Sequence, residues 1–135
     1  MGCWAIDSFG NDDAADWLGE LTQAQDLSLA RQAVLALLAE EGYLDAPLST
    51  EALAAIEAVA AALGRPTIAA QGQPSLMTWI ASVKPVPDAS LVSDAARAIE
   101  RILGPDSELR ELWEETDDFG EWQDNVGQLR SALKG

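Results

Sequence analysis

Apolar residues recur along the chain at intervals of three and four, the spacing that places side chains on one face of an α-helix. In the C-terminal stretch, steps of three, four, three and four residues separate Phe119, Trp122, Val126, Leu129 and Leu133. Two heptads are too few to predict a coiled coil from this seam. The strict alternation that is typical of a half-buried β-strand is not sustained anywhere in the sequence. The pattern therefore predicts an all-α fold.

Capping residues and glycines divide the apolar stripes into six or seven short helices within one compact domain, residues 1–135. These helices are expected to begin near residues 11–13, 28, 49–50, 75, 88–90, 106 and 119. Residues 1–10 are predicted to form an N-terminal arm. Segments 65–74 and 84–88 are rich in proline, glycine or polar residues and are predicted to be loops.

The sequence carries 23 Asp and Glu residues against 8 Lys and Arg residues, and its formal net charge is −15 at pH 7. Such a charge repels nucleic-acid phosphate and anionic membrane surfaces, and it attracts basic partners or cations. We therefore expect no direct binding of nucleic acid and no binding to a membrane. Solubility alone is another explanation for an acidic surface, so a basic partner is a hypothesis at this stage.

The sequence favours a cytoplasmic protein. No run of 18 apolar residues is long enough to span a membrane. The N-terminus lacks the basic and apolar regions of a secretory signal. The single cysteine, Cys3, has no partner for an internal disulfide, which fits a reducing compartment.

Several common catalytic arrangements are missing from the sequence. It contains no histidine, which removes Ser-His and Cys-His nucleophile pairs and His-ligated zinc. A lone cysteine rules out CxxC redox pairs, and no phosphate-binding glycine motif is present. We therefore expect no cofactor and favour a protein that is not an enzyme, although carboxylate chemistry with Mg²⁺ or Mn²⁺ stays open.

Carboxylates concentrate at the two ends of the chain. Residues 1–26 and 106–124 together hold 15 of the 23 acids, with Arg110 as their one basic residue. On a helix, Asp16 lies on the same face as Glu20 and as Asp12 or Asp13, because residues three or four apart are neighbours. Acids at the start of a helix commonly serve as caps, whereas converging carboxylates bind hard cations. The sequence leaves both interpretations open.

Five tryptophans are many for a chain of 135 residues. Trp17, Trp79, Trp113 and Trp122 all fall on apolar stripes, which favours core packing. Trp4 precedes the first predicted helix, so its role has to differ from that of the other four. Tryptophan is also enriched at protein interfaces, and Trp4 is therefore a candidate contact residue.

The opening "MGCWAIDSFGNDDAADWLGEL" resembles the start of a bacterial group, the domain-of-unknown-function family numbered 4259. The residues that match its pattern are Met1, Gly2, Trp4, Phe9, Asn11, Asp12, Ala14, Asp16 and Trp17. The later "SELRELWEE" followed by Trp122 is also similar to the family's C-terminal part. Cys3 and Ala5 depart from the pattern, which has alanine and glycine at these positions. The resemblance implies a small bacterial cytoplasmic protein, and it implies no catalytic residue and no cofactor.

Three functional hypotheses follow. The first is an acidic, non-enzymatic interaction module, such as an immunity or antitoxin-type inhibitor, that binds a basic protein partner. The second is a carboxylate-based protein that binds a divalent metal, or a metal-dependent hydrolase. The third is a homodimer that buries part of the seam from Phe119 to Leu133. The candidate interaction or ligand site comprises Trp4, Asp7, Phe9, Asn11, Asp12, Asp16 and Trp17.

Overall fold

A computed structural model describes residues 12–134 of the chain, with side chains from residue 14 onward. These residues form eight helices and no β-strand, with one isolated bridge between Leu44 and Ser107. The all-α prediction is confirmed, but the predicted number of six or seven helices is too low. In chain order the helices are α1 (Asp12–Leu21), α2 (Ser28–Ala39), α3 (Ala46–Ala62), α4 (Ile68–Gln71), α5 (Pro74–Val83), α6 (Ala89–Leu103), α7 (Glu108–Glu114) and α8 (Phe119–Lys134).

The additional helix, α4, lies inside segment 65–74, which the sequence analysis assigned to a loop. Thr67 caps this single turn, because its hydroxyl oxygen accepts a hydrogen bond from the N–H of Ala70 at 3.2 Å. The same hydroxyl donates to the buried carboxylate of Glu57 at 2.6 Å. A four-residue helix has no apolar stripe of its own, so hydrophobic periodicity has no means of detecting it.

Helix α3 lies at the centre of the molecule. Thirteen of its 17 residues are buried, and seven of these thirteen are alanines. It contacts each of the other seven helices. A helix that is apolar on all sides has to be buried, and small side chains allow its neighbours to approach closely. The other helices therefore pack around α3, and a continuous cluster of buried apolar side chains fills the spaces between them.

Helix α3 begins earlier than predicted, at Ala46 instead of residue 49 or 50. Asp45 is its N-cap and accepts a hydrogen bond from the N–H of Leu48 at 2.8 Å. Pro47 lies in the first turn, where its missing N–H costs nothing. Ser49 and Thr50, which were the predicted caps, are buried within the helix.

The loop before α3 is fastened to the loop before α7. The N–H of Leu44 donates to the carbonyl of Asp106 at 2.8 Å, and the N–H of Glu108 donates to the carbonyl of Leu44 at 2.9 Å. A third hydrogen bond, of 2.6 Å, runs from the N–H of Ala46 to the Glu108 carboxylate. Glu108 therefore caps the start of α3 from a position 62 residues later in the chain.

The four tryptophans that were predicted to lie in the core are buried, each at most 4% exposed. Trp79 lies on α5, and its indole N–H donates to the carbonyl of Ala24 at 2.8 Å. Trp113 and Trp122 stack with ring centroids 6.4 Å apart where α7 meets α8. The stacked pair therefore joins the consecutive helices α7 and α8, whereas Trp79 connects α5 to the loop after α1, 55 residues earlier, and satisfies a carbonyl group there.

The apolar seam of α8 is buried within the chain. Trp122, Val126, Leu129 and Leu133 are each at most 5% exposed, and α8 packs against α3, α6 and α7. The surface on which the homodimer hypothesis depended is therefore already occupied by other helices of the same chain. Within residues 12–134, none of the helices has the length and apolar character needed to cross a membrane.

Removal of the Glu108 side chain should destabilise the fold. Glu108→Ala leaves the first N–H of α3 without its charged acceptor, which is expected to cost about 1.5–3 kcal/mol of unfolding free energy. Urea denaturation followed by far-UV circular dichroism measures this loss. Glu115→Ala is the matched control, because it removes an exposed carboxylate beyond the end of α7 and should change stability by less than about 0.5 kcal/mol. Equal effects of the two variants would contradict the assigned role of Glu108.

Candidate functional site

The structure describes only part of the predicted site. Trp4, Asp7, Phe9 and Asn11 lie outside the described residues. Asp12 is the first residue of α1, and its side chain is also outside the described part. Asp16 and Trp17 are adjacent in sequence but differ in surroundings, since Asp16 is exposed and Trp17 is 3% exposed. Of the predicted residues, Trp17 is the one that the described structure places against a concave surface.

This concave surface, which we term the α1–α2 groove, has a volume of about 200 Å³. Helices α1 and α2 both pack on α3, and residues of all three helices line the groove. Its polar lining residues are Glu20 of α1, Gln32 of α2 and Glu51 of α3. Its apolar lining residues are Trp17, Leu29, Ala33, Ala36 and Leu48.

A second surface, which we term the acidic belt, covers the outer side of α7, the α7–α8 turn and the start of α8. It contains seven acids, and all seven are exposed. Arg110 is the one basic residue between positions 106 and 124, and it forms an ion pair with a single member, Glu114, at 3.3 Å. The members of the belt are Glu111, Glu114, Glu115, Asp117, Asp118, Glu121 and Asp124.

The arginines neutralise little of the belt. Arg110 pairs with Glu114, and the other five arginines bond to groups outside the belt. Two of them donate to backbone carbonyls, Arg65 to Ala132 at 2.8 Å and Arg101 to Gly42 at 3.3 Å. The other four form ion pairs: Arg31–Asp88 at 2.6 Å, Arg97–Asp94 at 3.1 Å, Arg110–Glu114 at 3.3 Å and Arg130–Glu100 at 3.2 Å.

The ion pair between Arg31 and Asp88 connects α2 to the start of α6. The Asp88 carboxylate also caps α6 by accepting from the N–H of Leu91 at 2.8 Å. This backbone hydrogen bond, together with the positive charge of Arg31, lowers the pKa of Asp88 below its ordinary value. The guanidinium of Arg31 therefore forms a contact between α2 and the start of α6 within the chain.

An aromatic side chain lies at the edge of the acidic belt. Tyr43 is 51% exposed, and its hydroxyl donates to the Glu111 carboxylate at 2.6 Å. Leu112, the next residue after Glu111, is 36% exposed, whereas its neighbours Leu109 and Trp113 on α7 are buried. The belt therefore combines negative charge with exposed apolar surface.

Sequence analysis did not single out Tyr43. The one local signal is that this tyrosine stands in "EEGYLD", outside every apolar stripe, and so has no helix face to bury it. Its contact with Glu111 joins residues 68 positions apart, and sequence spacing carries no information about such a pair.

A second concavity, of about 270 Å³, lies beside the belt and is lined by residues from Gly104 to Glu114. The Arg110 side chain is one of its lining residues. Its guanidinium donates to the carbonyl of Leu103 at 2.8 Å and lies 5.9 Å from the centre of the Phe119 ring. Asp106, which has φ of 61°, also lines the cavity. The cation at this cavity is therefore held by contacts within the chain.

The described residues provide no assembled metal site. Across side chains 14–134, no three or more His, Cys, Asp or Glu residues converge in a way that could hold a metal ion. Asp16 and Glu20 lie one turn apart on α1 and are both exposed.

Titration of Tyr43 tests the geometry at the edge of the belt. The hydrogen bond to Glu111, followed by partial burial and nearby negative charges, raises the pKa of Tyr43 from 10.0 to about 12. Because the pKa is raised in the folded state, the contact stabilises the fold below pH 10, and this stabilisation is lost as the pH rises from about 10 to 12. Tyr43 is the single tyrosine of the chain, so the rise in absorbance at 295 nm with pH, above the constant contribution of the tryptophans, reports its ionisation.

Glu111→Ala should return the pKa of Tyr43 toward 10, since it removes the acceptor. Glu115→Ala removes an equal charge without contact to the phenol and should leave the pKa near 12. A titration midpoint near 10 in the unmodified protein would show that the Tyr43–Glu111 hydrogen bond does not form in solution.

Comparison with known proteins places the chain in a family. Residues 2–125 match the family model described as Domain of unknown function (DUF4259). The match includes the residues before α1 and extends to the middle of α8. No curated protein and no solved structure is similar enough to the chain to give a match. Because the matched region covers nearly the whole sequence, the chain belongs to the DUF4259 family.

Proposed function

We propose that this protein is a non-enzymatic interaction module that presents its acidic surface to a basic protein partner. An immunity or antitoxin-type inhibitor of such a partner is the concrete form of this proposal. The observation that carries it is the distribution of charge. All six arginines are bonded within the chain, whereas the seven acids of the acidic belt are exposed, and among the described residues only one of the seven, Glu114, has an ion pair.

Electrostatics explains why this distribution suits binding. Complementary charge speeds the encounter of two proteins and discriminates between partners more than it adds affinity. The belt projects uncompensated negative charge over a distance of about 8 Å at physiological ionic strength. Tyr43 and Leu112 add exposed apolar surface beside this charge, and a contact area needs such surface for stable association.

Composition supports a role in binding instead of catalysis. The full sequence contains no histidine and one cysteine, so a general base at neutral pH would have to be a carboxylate. Partners with exposed phosphate, such as nucleic acids, would be repelled by a net charge of −15. We place this interaction in the bacterial cytoplasm, where the lone Cys3 would stay reduced.

Affinity capture with charge variants tests the proposal. The full chain should retain a basic protein from an extract of its native host at low salt and release it as salt is raised. The belt variant Glu115→Gln/Asp117→Asn should retain less of this protein, because it removes two exposed charges from the acidic belt. Mass spectrometry of the bound fraction identifies the partner, and light absorbance at each salt step gives the amount.

The control variant Glu40→Gln/Glu41→Gln makes the same change in net charge at the end of α2, where both acids are also exposed. It should retain the partner as the unmodified chain does. Capture of no basic protein at low salt would contradict the proposed function. Equal loss in the two variants would show that total charge, and not the acidic belt, governs binding.

A further inference from the structure

The α1–α2 groove is a contact surface that the acidic belt does not explain. Five apolar side chains line it, and three of them, Leu29, Ala33 and Leu48, pack against the hydrophobic core but are only partly buried. Ala36 on the α2 side is exposed. Apolar side chains that are only partly buried within the chain can bury their remaining surface against a partner.

The size of the groove limits what it can accept. Sites for small-molecule ligands have volumes of about 300–1,000 Å³, whereas a cavity of about 150 Å³ accepts a single benzene ring. At about 200 Å³, the α1–α2 groove suits one bulky apolar side chain, such as that of phenylalanine. A metabolite of ordinary size would leave most of its surface in solvent.

The charge around the groove specifies the neighbours of that side chain. Glu20 and Glu51 both line the groove and Glu20 is exposed, so an inserted side chain would enter a negatively charged surface. Lysine or arginine next to the inserted residue would be attracted by this charge and could form a charge-assisted hydrogen bond with the exposed Glu20. An acidic neighbour would be repelled by both of them and by the net charge of the chain.

We infer that the α1–α2 groove receives one large apolar side chain, flanked by lysine or arginine, from the basic partner. The inference rests on the proposed function and adds the place on this chain where a side chain of the partner inserts. Apolar burial in the groove supplies affinity, and Glu20 and Glu51 select the basic sequence around the inserted residue. The acidic belt, on α7 and α8, attracts the same partner over a longer range.

Two synthetic peptides test this inference on the full chain. Lys-Lys-Phe-Lys-Lys and Lys-Lys-Ala-Lys-Lys carry the same charge and differ in the apolar side chain. At low salt, the phenylalanine peptide should bind about tenfold more tightly, which corresponds to burial of most of the ring. Methyl NMR should show the largest shifts at Leu29, Ala33 and Leu48, the groove residues, on addition of this peptide.

Variants of α2 make the test specific to the groove. Ala36→Phe places a ring in the groove and should abolish the preference for the phenylalanine peptide. Ala39→Phe makes the same substitution at an exposed position of α2 outside the groove and should keep the tenfold preference. Glu20→Gln should weaken binding of the phenylalanine peptide more than Glu115→Gln does. Circular dichroism melting checks that each variant is folded.

The results separate this inference from the function on which it rests. Salt-dependent binding of both peptides with equal affinity would leave the acidic binding surface in place and overturn the assignment of the groove. An unchanged preference in Ala36→Phe would overturn it as well. Binding of neither peptide at low salt would contradict the acidic interaction surface itself.

Discussion

The burial of most of α3 is the constraint on which the rest of the structure depends. Thirteen of its 17 residues are buried, and every other helix contacts it. The longer helices around it therefore turn their apolar stripes toward the core, which leaves their polar side chains on the outside. Since acids outnumber bases by 23 to 8, the resulting surface is strongly negative. The negative surface charge that is available for binding therefore follows from the burial of the apolar side chains.

Polar contacts between distant residues then determine how this surface is arranged. Glu108 caps α3, Arg31 joins α2 to α6, and Arg130 joins α8 to α6. Arg31 and Arg130 are two of the six arginines, and the other four also bond to groups of the same chain. Among the described residues, the acids of the acidic belt other than Glu114 have no ion pair, and the α1–α2 groove stays open where residues of α1, α2 and α3 meet. The proposed function therefore depends on the same distribution of charge that these intrachain contacts create.

Local patterns predicted the elements whose stabilising contacts are themselves periodic. The stripe of α8 and the buried tryptophans were predicted because spacings of three and four residues determine which side chains share a face. The start of α3, helix α4 and the Tyr43–Glu111 contact were missed, because each depends on a cap or on a partner distant in sequence. The groove was missed for the same reason, since three helices form it. Of the predicted site, Trp4, Asp7, Phe9 and Asn11 lie outside the described residues.

Native-state hydrogen exchange tests the central claim that α3 supports the whole fold, because it measures the free energy of opening at each amide. Amides in the middle of α3, from Ala52 to Ala61, should exchange only through global unfolding. Their free energies of opening should equal the free energy of unfolding from urea denaturation, and amides of α1 and α7 should exchange at lower free energies. If the α3 amides exchanged through local opening, as easily as those of α1, the buried helix would not be the element on which the others depend.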